Sequence, residues 1–189
     1  HSSRDLGRHK RDSLARSTIV VLTILAGVPM NSFGAHSVAQ RATLHQHLRE
    51  VLDRVLEAHD FRIEEGARVP EKQWAAFNAK PQTSKVRGDA AYPHRVRSDG
   101  VSWAADIYPI LNGRKIDVRV VGFKPIESAQ FAYFLGLVKA TATDYFRGVE
   151  AMTNEKWRLR LGIDWDRDGE ILSDQTWHDW PHIELERIA

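Results

Sequence analysis

The chain has no cysteine among its 189 residues. That excludes a disulfide framework, a thiolate zinc site and a cysteine nucleophile, so any metal must be held by His, Asp or Glu. A long hydrophobic run is missing too. The most apolar stretch, Ile19 to Ala26, breaks at Gly27 and Pro29, short of the roughly 20 residues of a relaxed transmembrane helix. There are no internal repeats and no low-complexity segments. Nor is there a strong excess of one charge: 27 Lys and Arg face 25 Asp and Glu, a formal net charge of +2. The sequence pI near 9.0 hints at nucleic acid, but the charge is unevenly placed. Residues 1–16 hold five basic residues (Arg4, Arg8, Lys10, Arg11, Arg16) and two acidic ones, which leaves 22 basic against 23 acidic in the rest. A body of net −1 gives no case for a nucleic-acid surface. What is present, 42% hydrophobic and 28% charged residues, is the composition of a globular domain with a real core.

Two regions are expected: an N-terminal arm over residues 1–30 and one domain over 31–189. In the arm, a basic stretch from Arg8 to Arg16 precedes the apolar run, the order of a secretory signal, and Ser37-Val38-Ala39 offers small residues for cleavage. The alternative is that residues 1–29 are upstream sequence and Met30 is the natural start. The second reading is favoured, because patterned sequence begins just after Met30.

Leu44, Leu48, Val51, Leu52, Val55 and Leu56 recur at three- and four-residue spacing, which predicts an amphipathic helix over 44–59 with Thr43 as its cap. Phe61 to Glu65 alternates as a strand and ends at Gly66. Pro70 opens a helix over 71–79, with Trp74, Ala75 and Phe77 available for packing. Residues 80–100, with Pro81, Gly88, Pro93 and Gly100, read as a long loop, a feature uncommon unless functional. A strand is expected over Val101–Tyr108, then a turn at Asn112-Gly113 into a return strand over Lys115–Val121. A helix over Ile126–Phe146 carries Phe131, Phe134, Leu135 and Val138. Strands follow at Trp157–Ile163 and His182–Ile188, with a polar loop over 164–180 between them. The fold class is α+β, with a small antiparallel sheet flanked by helices.

Three polar residues sit where strand and loop meet: His94, Asp106 and His182. Asp106 interrupts an otherwise apolar strand, and a carboxylate there is costly to bury unless paired or bound to metal. Two imidazoles and a carboxylate form a three-ligand set that leaves a fourth zinc position open. Singly, each has a plainer reading, as a salt-bridge partner or a hydrogen-bonded core histidine.

The surrounding words add more. Ser84-Lys85-Val86-Arg87, then Tyr92-Pro93-His94, then Ser102-Trp103-Ala104-Ala105-Asp106-Ile107-Tyr108-Pro109 resemble the first metal motif of phage endolysins of the L-alanyl-D-glutamate peptidase type, which group with D-Ala-D-Ala carboxypeptidases. Asp164-Trp165-Asp166-Arg167-Asp168-Gly169-Glu170 and Asp179-Trp180-Pro181-His182-Ile183-Glu184-Leu185 resemble the second. Ser32-Phe33-Gly34, Ala42-Thr43-Leu44-His45 and Glu65-Gly66-Ala67-Arg68 followed by Gln73 extend the likeness over about Ser32 to Glu186, in one consistent order. There are two departures. The usual interval from the first His to the Asp is seven residues, or somewhat longer in one phage subgroup, but His94 and Asp106 are twelve apart. Asp99 occupies the seven-residue position and competes for the ligand role. His94 is preferred, since neutral imidazole suits zinc. Leu161-Gly162-Ile163-Asp164 stands where the subgroup has paired glycines.

The resemblance implies a hedgehog/DD-peptidase-like fold and zinc on His94, Asp106 and His182. It also implies Asp179 as general base and then acid, with Glu184 the next acid if Asp179 is dispensable. Arg68 would donate to an oxyanion or a substrate carboxylate, although a helix-proximal salt bridge explains it equally well. His178, Trp103, Trp177 and Trp180 are candidates to line a peptide groove, against a plainer reading as packing. Asp164, Asp166 and Asp168 before Gly169 match the start of a calcium loop, but position 12 is Gln175, and a solvated acidic turn accounts for them as well. The expected function is a zinc peptidase cutting the peptidoglycan stem peptide between L-Ala and D-Glu. A D-Ala-D-Ala carboxypeptidase and a non-catalytic wall-binding protein on the same fold are the alternatives. A monomer is expected, without a nucleic-acid partner or membrane span. It would act at the cell wall or periplasm, from the host cytoplasm at lysis or after export if residues 1–30 are a signal.

Overall fold

A computed structural model describes residues 31–80, 84–118, 125–169 and 178–188. The basic and apolar stretches of the N-terminal arm lie outside the described residues, as do Trp177 and Gln175. In chain order the described elements are α1 (Ala35–Ala42), α2 (Gln46–Ala58), β1 (Phe61–Glu65), α3 (Pro70–Asn78), β2 (Ala104–Leu111), β3 (Arg114–Lys115), α4 (Pro125–Thr153), β4 (Lys156–Leu161) and β5 (His182–Ile188). No described helix is long and apolar enough to cross a membrane.

The strands run in the order β1-β2-β5-β4, with β3 paired to β2, and every pairing is antiparallel. This is the α+β architecture expected. Side chains alternate across a strand, so odd and even positions separate the two faces. Ala105 and Ile107 of β2 and Ile183 and Leu185 of β5 join one hydrophobic cluster with Leu48, Leu52 and Val55 of α2 and Phe134, Leu135 and Val138 of α4. Fully burying a Val, Leu, Ile or Phe side chain of this set stabilises the fold by about 1.5–3 kcal/mol. The alternate positions, Asp106 and His182, open instead into a cleft of about 800 Å³.

Several expectations shift. Helix α1 was not foreseen; its only large apolar residue, Val38, is exposed, and the buried position is Ser37. Its polar side chains are used locally: Ser37 Oγ accepts from Ile63 N at 3.1 Å, and Gln40 Oε1 accepts from Gly66 N at 2.9 Å. Ser37-Val38-Ala39 therefore lie within this helix. Thr43 does not cap α2. Its hydroxyl accepts from Ala67 N at 2.8 Å, while the cap is His45, whose Nδ1 accepts from His47 N at 3.1 Å. In α3 the buried residue is Gln73, not an aromatic one. β2 starts three residues later than expected, at Ala104, because Ser102 instead bridges to the α1–α2 junction: its N donates to Thr43 O, and its carbonyl accepts from His45 N. α4 continues past Phe146 to Thr153, burying Val149 as well, and stops before Asn154, whose φ of 60° is left-handed.

Candidate metal centre and cleft

Strand pairing builds the centre. Asp106 and His182 are direct partners in the β2–β5 register, so their side chains share one face. His94 arrives from the long loop. It is placed by Arg68 N donating to its carbonyl at 2.9 Å and by Tyr92 Oη donating to Arg68 O at 2.9 Å. His94 Nε2, Asp106 Oδ1 and His182 Nδ1 converge, at 3.1 Å for the two His94 contacts and 3.3 Å for His182 to Asp106. Both histidines are buried, at 3% and 2% exposure.

The outer nitrogens settle the tautomers. His94 Nδ1 lies 2.8 Å from the Gly66 carbonyl, an acceptor only, so Nδ1 carries the hydrogen. His182 Nε2 lies 3.4 Å from a Glu184 carboxylate oxygen and donates to it. The two inner nitrogens are thus lone-pair donors facing each other and a carboxylate. Three such atoms at this separation could share a cation. Burial alone would lower His182, but its hydrogen bonds to Asp106 and Glu184 push it up to about 9. Burial likewise opposes the charge on Asp106, yet His94 and His182 hold it well below the usual carboxylate range. The donor set also fits zinc. Bonds of about 2.0–2.2 Å in a tetrahedral arrangement space the ligand atoms by about 3.3 Å, and imidazoles with their outer N–H groups tethered are the usual ligands.

A profile of the family described as phage L-alanyl-D-glutamate peptidase matches residues 30–186. The chain belongs to this family. The chain also has a fold similar to the crystal structure of Serratia marcescens L-Ala D-Glu endopeptidase ChiX, with 19% identity and a TM-score of 0.50 over 86% of this chain and 95% of that one. At that identity the likeness concerns the fold. No curated protein matches the chain.

Around the centre, Arg68 is held on three sides. Its Nε donates to Glu65 Oε2 at 2.8 Å, Nη1 to Gln73 Oε1 at 2.8 Å and Nη2 to Asp106 Oδ2 at 3.3 Å. Gln73, 1% exposed, continues the chain of bonds to Ser84 Oγ at 2.7 Å and Val86 O at 2.6 Å, tying α3 to the loop that carries His94. A Cβ at Gly66 would meet the Gln40 carbonyl at 2.7 Å, so any other residue here would force the backbone to shift. Asp179 lines the same cleft, and its charge supports the protonated states of both Arg68 and His182. Its backbone N donates to Gly162 O at 2.8 Å.

The structure separates the remaining candidates. Asp99 is exposed and outside the cluster; its Oδ2 accepts from Trp103 Nε1 at 2.7 Å and its Oδ1 from Val101 N at 3.3 Å. Trp103 does not flank the cleft. It packs against His45 and Trp157 at ring distances of 5.1 Å. Trp180 packs on Phe131 at 5.8 Å. His178 is half-buried and is not among the residues that line the cleft. Glu184 is tied between Arg160 and His182, so it is not a spare base. Asp164, Asp166 and Asp168 bring ligand atoms within 4.8 Å of one another. Lys139 Nζ already contacts Asp164 Oδ2 at 3.1 Å, however, and Gly169 N donates to its Oδ1 at 3.3 Å. An acidic turn with a lysine counter-ion accounts for this group, and no calcium is assigned. Sequence reasoning missed Trp165, whose ring stacks on His182 at 5.2 Å and 28°, and Arg160, whose guanidinium lies 4.8 Å over Trp165. The one signal for Trp165 was an aromatic residue set in an acidic turn.

Proposed function

We propose that this protein is a zinc-dependent L-alanyl-D-glutamate peptidase that cuts the stem peptide of peptidoglycan at the cell wall during phage lysis. The observation that carries the reading is the convergence of His94 Nε2, Asp106 Oδ1 and His182 Nδ1 as lone-pair donors on the floor of a peptide-sized cleft. Family membership supplies the substrate class.

In this reading His94, Asp106 and His182 hold the zinc, which supplies Lewis-acid activation of water and of the scissile carbonyl. Asp179 accepts a proton from the attacking water and returns it to the departing amine of D-Glu, restoring its carboxylate. Arg68 has two duties. It braces Asp106 from behind, and it presents fixed positive charge to the oxygen on which negative charge develops. Gln73 and Glu65 hold the guanidinium, so little reorganisation accompanies the reaction.

The test separates proton transfer from metal binding. Asp179→Ala is expected to keep one zinc per chain and a normal fold while losing about 10²–10⁴-fold in turnover on purified stem peptide. Zinc-loaded wild type is expected to clear a murein suspension. A chain that holds zinc but clears nothing and cleaves no stem peptide would favour the wall-binding alternative.

A further inference from the structure

Glu184 has the burial of a core residue, at 5% exposure, and the charge of a surface one. A carboxylate that deep is costly unless its oxygens are satisfied. Strand parity decides where it points: two residues from His182 on β5, it shares that residue's face. Register places it between Ala104 of β2 and Arg160 of β4. Ala104 is small and fully buried, which leaves the carboxylate room. Arg160 pairs with Oε1, while Oε2 lies 3.4 Å from His182 Nε2. An ion pair alone would favour the bidentate fork of a guanidinium on both oxygens. Here the oxygens are divided between two partners, one of them an imidazole of the centre. Trp165 covers that imidazole, and Arg160 covers Trp165 in turn.

We propose that Glu184 is a positioning residue of the metal centre, fixing His182 in the orientation that turns Nδ1 towards the metal. This rests on the zinc reading above. Rotating the ring by half a turn would replace Nδ1 with a carbon and remove one ligand. The Glu184 hydrogen bond opposes that rotation, while the Trp165 stack holds the plane of the ring. The two histidines are not equivalent in this respect. His94 gives its outer hydrogen to a neutral carbonyl, whereas His182 gives its own to a carboxylate, which makes His182 the more basic ligand. Arg160 acts one step further out, holding Glu184 in place.

The test uses the full chain and measures zinc affinity by competition with a chromophoric chelator, the visible spectrum of the cobalt-substituted protein, and the unfolding midpoint without metal. Glu184→Ala is expected to weaken zinc binding by about 10–100-fold and shift the cobalt bands. Glu184→Gln keeps an oxygen that accepts from Nε2–H and is expected to recover most of the loss. Because Glu184→Ala strands the Arg160 guanidinium, a double variant with Arg160→Met controls for folding. Its unfolding midpoint should return towards wild type while its zinc affinity stays weak. If the double variant binds zinc with wild-type affinity and a wild-type cobalt spectrum, Glu184 merely neutralises Arg160 and the proposal is overturned. Failure of the wild-type chain to take up zinc would overturn the zinc reading itself, and this inference with it.

Discussion

The proposal that His94, not Asp99, is the first ligand rests on a single nitrogen. His94 offers a neutral nitrogen whose partner nitrogen is already spent on the Gly66 carbonyl, so the free lone pair has nowhere to go but the centre. Asp99 holds the spacing of the family motif, yet both its oxygens accept hydrogen bonds at the surface, from Trp103 and Val101. In the zinc reading, Asp99 in place of His94 would also make the site formally neutral and blunt its Lewis acidity. Purified side by side, His94→Ala is expected to contain no zinc and Asp99→Ala one zinc per chain. Elemental analysis reads the outcome, and the opposite pattern would make Asp99 the ligand. The same scale shows how far the sequence could be read. Asp106 was legible because a carboxylate in an apolar strand demands a partner, and His182 because it opens the next alternating segment. Trp165 and Arg160 were not legible, since their contacts depend on a loop folding back over β5, which no local pattern encodes.

At the scale of elements, the turn after β4 sets the reach of the site. Gly162 follows Leu161 and bonds the Asp179 segment, its N donating to His182 O and its carbonyl accepting from Asp179 N, both at 2.8 Å. A Cβ there would sit 2.8 Å from His182 Cβ and closer still to the Asp179 carbonyl. Gly162→Ala must therefore push the Asp179 segment away from β5. Overpacking of this kind costs about 1–3 kcal/mol, and the same shift should lower kcat more than it raises KM. Urea midpoints together with steady-state kinetics on stem peptide check it, and unchanged values for both would show that the turn has slack. Helices with a broad apolar stripe, α2 and α4, were plain in the sequence, and so were the alternating strands. Helix α1 was not, because its inward residues are polar: Ser37 and Gln40, with Thr43 just past its end, serve neighbouring backbone groups instead of the core. The late start of β2 escaped for a related reason, since Ser102 is taken up by the α1–α2 junction.

At the scale of the whole molecule, a second histidine pair lies outside the His94–Asp106–His182 cluster among the described residues. His45 and His47 are packed with Trp103, Trp157 and Tyr145 at the head of α2. Burial pushes both below the ordinary imidazole value, helped at His45 by the charge of its neighbour His47. The unfolded chain therefore binds protons that the folded chain resists. Above the ordinary value of 6.5 the pair has no effect, and below it stability falls as the pH drops. His45→Asn keeps a good N-cap while removing one of the two groups. Its unfolding midpoint should fall less steeply between about pH 7 and 5.5, and a slope equal to that of wild type would mean that the acid sensitivity lies elsewhere. None of this involves zinc, so it tests the fold independently of the chemistry. The central claim is a bond: the L-Ala–D-Glu amide of the stem peptide, cut with zinc in place. Mass spectrometry of a defined stem peptide after incubation with zinc-loaded protein reads it directly. The account predicts one cut that leaves L-Ala on one fragment and a new amino terminus on D-Glu, lost when the zinc is removed by a chelator and restored when zinc returns; release of the terminal D-Ala, or cleavage indifferent to zinc, would contradict it.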